Sequence, residues 1–184
     1  MILPARFVLP ARLACAVALA LGAPAFAAGP VMLTVTGAVD KANRGPSDPD
    51  LDVLFTFNEV SFDKAHAFDL DALAALPQAS VQADFPKGGA KVGFTGPLLA
   101  DVLAAAGAEG DTVTVQAMDG YAVEAPRAEL EAKGAVLALA RDGKPLGIGS
   151  FGPAQLVFPR SERADLASMP DDWWIWQIFH IKVN

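Results

Sequence analysis

Thiols are almost missing from this chain: its one cysteine, Cys15, lies in a segment whose layout marks it for removal. Residues 1–27 place Arg6 and Arg12 around the start of an apolar run over 13–21 and finish on Ala25-Phe26-Ala27. A charged start, a short apolar middle and a small-x-small end are the pattern of a secretory signal peptide. The apolar run is too short to cross a bilayer, which takes about 20 such residues. Arg12 and Leu13 precede Cys15 where a lipoprotein signal would carry an apolar and then a small residue, so lipid attachment is not expected. Cleavage after Ala27 leaves residues 28–184 with no thiol, which excludes disulfides, thiolate nucleophiles and thiolate-bound metals there. The expected location is the periplasm of a Gram-negative cell, with full secretion as the alternative.

Basic residues are scarce too. Cleavage removes two arginines and no acid, leaving twelve basic against 21 acidic side chains, a net of −9. Without a lysine or arginine cluster, neither nucleic acid nor anionic lipid is an expected partner. No later stretch resembles a membrane span, so no membrane insertion is expected after signal cleavage. Histidine is limited to His66 and His180. A metal site would need the two to meet with acids such as Asp63 or Asp84, and no ligand spacing supports one. No Ser–His–Asp arrangement, paired-carboxylate signature or phosphate loop stands out, and Ser150, between Gly149 and Phe151, lacks a strand-to-helix nucleophile elbow.

What is present reads as one domain over 28–184 with room for a core. Residues 31–39 alternate apolar and Thr as a half-buried strand does. Residues 41–52, broken by Gly45, Pro46 and Pro49, form a loop. Residues 51–62 read as extended, with Val53, Phe55 and Phe57 on one face. Residues 68–76 predict a short helix capped by Asp69 and stopped by Pro77. Residues 81–92 predict a strand and a turn. The helix over 97–106 starts on Pro97, buries Leu98, Leu99, Val102 and Leu103, and ends at Gly107. Strand 112–118 turns at Asp119-Gly120 into its partner over 121–125. A short helix over 127–133, a buried strand over 135–140, a turn over 141–145 and final strands over 155–158 and 173–183 complete an α+β domain, mixed but mainly β.

Several of these pieces, in this order, resemble the molybdopterin-binding domain of the sulfite oxidase family. They are Leu33-Thr34-Val35-Thr36-Gly37, Phe68-Asp69-Leu70, Phe94-Thr95-Gly96-Pro97-Leu98-Leu99 running on to Leu103, and Asp119-Gly120-Tyr121. Then follow Leu137-Ala138, Asp142-Gly143-Lys144-Pro145-Leu146, Gly152-Pro153, Val157-Phe158-Pro159 and the Trp-rich close. The resemblance covers residues 33–183 and implies the fold. Catalytic members bind molybdenum through a cysteine between the helix that 68–76 resembles and the turn before Phe94. Residues 81–89 stand there without a cysteine, and Asp84 is no substitute for a soft thiolate. The basic residues that such enzymes present to pterin and substrate have no matching pair, and the chain is shorter than the full enzymes. The expectation is an exported ligand- or partner-binding or sensory module with no cofactor. Molybdopterin-dependent oxidoreduction, or a docking role in a periplasmic redox or signalling complex, is the alternative.

Two groups of residues are candidates for contact. Lys87, Gly88, Gly89 and Lys91 could form an anion-binding turn, and Arg160, with Ser161 and Arg163, a second basic spot; together they could hold a phosphate or carboxylate. Trp173, Trp174 and Trp176 are the densest aromatic feature. On a strand, Trp174 and Trp176 would share one face with Ile178, and Trp173 the other with Ile175 and Phe179. One of those faces could contact a small molecule or a periplasmic protein.

Overall fold

The computed structural model describes residues 29–184; the segment read as a signal peptide, with Cys15, lies outside the described residues. The largest sheet is built from β1 (Leu33–Gly37), β2 (His66–Phe68), β5 (Thr112–Ala117), β6 (Ala122–Pro126) and β11 (Ile178–Val183), in the order β2-β1-β11-β5-β6. β1 and β11 run parallel and the other neighbours antiparallel. A four-stranded sheet has the order β3 (Gln78–Ala83), β4 (Val92–Pro97), β8 (Ala140–Arg141), β9 (Lys144–Pro145), and β7 (Val136–Ala138) pairs with β10 (Gln155–Val157). The helices are α1 (Val53–Phe57), α2 (Leu70–Ala74), α3 (Leu99–Ala105) and α4 (Arg127–Ala132), with a 3₁₀ turn at Ala164–Leu166. No helix among the described residues is long and apolar enough to cross a membrane.

The alternation in sequence sets the two faces of the large sheet. Leu33 and Val35, Val113 and Val115, Ile181 and Val183 are all buried on the inner face. Each fully buried aliphatic side chain contributes about 2 kcal/mol relative to an exposed one. The outer face is polar, carrying Thr34 and Thr36, Thr114 and Gln116, His180 and Lys182 in register. α3 buries Leu99, Val102 and Leu103 into the same core, and Gly107 ends it at φ +62°. Gly96 has a packing cause: a Cβ there would lie 2.0 Å from the Leu137 carbonyl oxygen, so β4 can approach β7 only without a side chain. In α2 the Asp69 carboxylate accepts from the Ala72 amide at 2.7 Å, the expected cap.

Three local expectations are corrected. Residues 51–62 are not extended; five of them form α1, which buries Phe55 and leaves Val53 and Phe57 exposed. A spacing of two places side chains on one face of a strand but on different sides of a helix. The helix wins because the Asp48 amide donates to the Asp52 carboxylate at 2.9 Å just before it, the Asn58 side chain donates to the Leu54 carbonyl at 2.9 Å, and Phe55 finds Phe62 and Phe179. Pro97 closes β4 rather than opening the helix, and Leu98 is partly exposed. Residues 173–177 are not strand, because Asp171 starts a turn and Gln177 adopts φ +56°, which breaks the alternation before β11 begins.

Candidate functional site

Arg160 sits just beyond β10, where Pro159 ends the strand, and it is only 4% exposed. A buried guanidinium needs partners for its donors. Its Nε donates to Asp84 Oδ1 at 2.8 Å, and its Nη1 donates to Asp171 Oδ1 at 2.6 Å and to the Met169 carbonyl at 2.9 Å. Nη2 donates to the Asp84 carbonyl, and the guanidinium carbon lies 4.5 Å from the centre of the Trp174 ring. The opposite oxygens of both carboxylates are also taken. Asp84 Oδ2 accepts from the Gly88 amide at 2.8 Å and Asp171 Oδ2 from the Lys87 amide at 2.9 Å, while Lys87 Nζ donates to the Ser168 carbonyl at 2.7 Å. The Gly88 amide, and then Arg160, hold the Asp84 carboxyl below its ordinary value.

Lys87, Gly88 and Arg160 are therefore brought together, around two carboxylates of the chain itself. The Gly89 amide closes the turn onto the Pro86 carbonyl at 2.9 Å, and Lys91 is exposed and outside the cluster. Arg163 pairs with Asp165 and donates to the Ala132 carbonyl. Sequence spacing does not show these partners: Asp84 is 76 positions from Arg160, and Asp171, 11 positions on, lies in a stretch that reads as part of no motif with it.

The tryptophans separate. Trp174 is 2% exposed, stacks on Phe85 with ring centres 5.4 Å apart, and meets Phe94 and Phe158 at an angle. Trp176 is 42% exposed, edge-on to Phe151. Trp173 faces a different hollow, under Lys133, whose Nζ lies 5.8 Å from its ring centre. Trp174 and Trp176 line a cleft of about 520 Å³ with Phe85, Pro86, Tyr121 and Asp172. Phe85 and Pro86 come from the stretch 81–89, where the family resemblance implies the metal-binding thiolate. Tyr121 is 51% exposed; its hydroxyl donates to the Asp172 carbonyl at 2.9 Å and its amide to Asp119 Oδ1 at 3.0 Å. Asp119 also lines the cleft; it and Asp172 are exposed and form no ion pair among the described residues. Two buried side chains near this wall lack partners there: Trp174 at Nε1, and Gln155, whose backbone bridges to Trp176, at both amide atoms.

A larger hollow of about 660 Å³ lies over the polar face of the large sheet, walled by the 59–64 loop. At its floor His180 is 3% exposed. Its Nδ1 meets Gln116 Oε1 at 2.9 Å and its Nε2 meets Thr36 Oγ1 at 2.8 Å. The amide oxygen can only accept, so Nδ1 carries the proton and Nε2 accepts from the threonine. Burial, then the charge of Lys182, lower the His180 pKa to about 4. It is neutral at neutral pH and satisfied at both nitrogens, an arrangement suited to holding strands together rather than to moving protons. His66 instead packs on Phe68 and meets the Lys41 carbonyl. No group of three or more His, Cys, Asp or Glu that could hold a metal occurs among the described residues.

A molybdopterin centre does not fit this donor set. Residues 28–184 offer no thiolate, and the Arg160 guanidinium, beside the stretch 81–89, is held by the Asp84 and Asp171 carboxylates and by the Asp84 and Met169 carbonyls. No protein-family model matches the chain, and no curated protein matches it. Among solved structures, the sulfane dehydrogenase SoxCD from Paracoccus pantotrophus is similar, with a TM-score of 0.55 and 16% identity. The match covers 83% of this chain and 38% of that one, so the chain spans well under half of that protein's length. The likeness is one of fold: a mainly β chain of three sheets and few helices that resembles the sulfite oxidase-type molybdopterin domain.

Proposed function

We propose that this protein is an exported binding module that uses the frame of a molybdopterin domain without molybdenum chemistry. It takes a small molecule in the cleft between Tyr121, Trp176 and the Phe85–Trp174 stack. The observation behind this reading is the closure of the Arg160 cluster by Asp84 and Asp171 beside an open aromatic cleft. A cofactor phosphate would have to displace two carboxylates from a buried guanidinium, whereas a ligand in the cleft displaces only water. Its volume falls in the range of roughly 300–1,000 Å³ usual for small-molecule sites.

The test is a metabolite screen read by melting temperature, since a ligand that binds only the native state must raise it. The expected result is a shift that Trp176→Ala abolishes. A panel of cationic, neutral and anionic metabolites that leaves the melting temperature unmoved would contradict the small-molecule role. Export rests on residues 1–27, and the expected mature protein begins at Ala28 in the periplasmic fraction, as N-terminal sequencing would read. A docking role is the second reading, favoured by the exposed apolar side chains Leu51, Val53 and Phe57. Failure of a pull-down from periplasmic extract to give a partner that depends on Phe57 would remove it.

A further inference from the structure

We propose that the aromatic cleft is selective for a small organic cation, and that a quaternary ammonium group is the chemistry it suits best. The proposal rests on the reading of this cleft as a ligand site and goes beyond it by naming the ligand's charge. Ring faces attract cations through their quadrupole, most strongly for Trp and then Tyr. Trp176 and Tyr121 are the two aromatic residues of the cleft with substantial exposed surface, since Trp174 and Phe85 are spent on each other.

The charges around the rings point the same way. Asp119 and Asp172 line the cleft without an ion pair among the described residues, and no lysine or arginine among those residues lines it. Of the cations close by, Arg160 rests on the Trp174 ring and is neutralised by Asp84 and Asp171, and Arg141 donates to the Phe85 carbonyl at 3.2 Å without lining the cleft. An anion entering here would meet carboxylates and no counter-charge. The larger hollow over His180 carries both signs, with Glu59 and Asp63 beside Lys64 and Lys182, and so imposes no such choice.

A quaternary ammonium ion has no N–H groups to satisfy. It therefore tolerates the apolar wall of Phe85, Pro86 and Ile175, where a primary ammonium would lose hydrogen bonds to water. The unpartnered Trp174 Nε1 adds a buried donor among the lining residues, which an oxygen on the ligand would satisfy.

The experiment titrates the mature protein with choline chloride and with its neutral carbon isostere dimethylbutanol, by tryptophan fluorescence and calorimetry, with sodium phosphate as the anionic control. Choline is expected to bind about tenfold or more tightly than the isostere. Trp176→Ala and Asp172→Asn are each expected to weaken it without lowering the melting temperature of the free protein, and Trp176→Phe to retain part of the affinity. Equal binding of choline and isostere, or no binding of choline, would overturn the proposal. If a neutral or anionic metabolite binds instead, and Trp176→Ala abolishes that binding, the choice of cation fails while the cleft stands as a ligand site. Molybdenum in the purified protein would overturn both readings.

Discussion

Arg160 packs against the tryptophan-rich segment and Trp176 belongs to it, and they have opposite fates. Around Arg160 each guanidinium nitrogen donates to a carboxylate or carbonyl of the chain, and the Lys87–Gly88 turn is folded into the same network. Around Trp176 and Tyr121 the rings are half open and the neighbouring Asp119 and Asp172 form no ion pair among the described residues. The contrast separates cohesion from function. A charged group buried among its partners specifies packing, whereas exposed aromatic surface beside carboxylates without an ion pair is the surface proposed for a ligand.

Breaking the closed side has the larger effect on stability. Trp174→Ala removes the ring on which Phe85, Phe158 and Arg160 all rest, and is expected to cost about 4 kcal/mol. Denaturant midpoints would report this. Arg160→Met is expected to cost about 3 kcal/mol, because it strands Asp84 and Asp171 against each other in a half-buried setting. Arg160→Lys restores little of this, since an ammonium cannot reproduce the fork that spans both carboxylates. A midpoint unchanged in Arg160→Met would show that the cluster contributes nothing to cohesion.

Acid distinguishes the closed cluster from the polar face of the large sheet. His180 has a pKa of about 4 in the fold against an ordinary 6.5, so between those values the unfolded chain binds the extra proton. The stability that neutral His180 contributes is complete above about pH 6.5 and is lost as pH falls toward 4, by about 3 kcal/mol in all. Asp84 is shifted downward from 3.8, so its contribution persists through that window and declines only below it. Melting temperatures across pH should therefore fall in two stages, and His180→Gln should flatten the first alone. A single decline beginning below pH 4 would refute the assignment for His180.

The smallest effect is expected on the open side. Trp176→Ala should change stability by about 0.5 kcal/mol or less, as surface substitutions do, while removing ligand-induced shifts. A large loss of stability would mean that the ring is structural and the cleft incidental.

The frame was legible because its signals are local. Alternating Thr and Val gave β5, Asp69 and Pro77 bracketed α2, and Gly107 and Gly120 marked real reversals. The resemblance drawn from scattered motifs matched the fold, and Gly96 shows the kind of cause behind such a motif: a backbone contact that forbids a side chain. The misreadings came where period-two spacing had to stand in for tertiary contacts. In α1, Phe55 had a pocket that Val53 and Phe57 lacked, and the tryptophan segment was bent by a turn at Asp171 and the left-handed Gln177. The site was half legible. Lys87, Gly88 and Arg160 do meet in space, but around Asp84 and Asp171 of the chain itself, through long-range contacts such as Lys87–Asp171 and Arg160–Asp84 that no local pattern shows. Asp119, Tyr121 and Asp172 converge on one cleft in the same way, across a turn and a return strand.

The most direct test is the molybdenum and pterin content of mature protein purified from the periplasm of a host with intact cofactor synthesis. Molybdenum far below one atom per chain and no released pterin are expected, because residues 28–184 contain no cysteine and Arg160 is held by Asp84 and Asp171. Close to one molybdenum per chain would contradict this and make the protein an oxidoreductase whose metal is held by a donor set of a different kind.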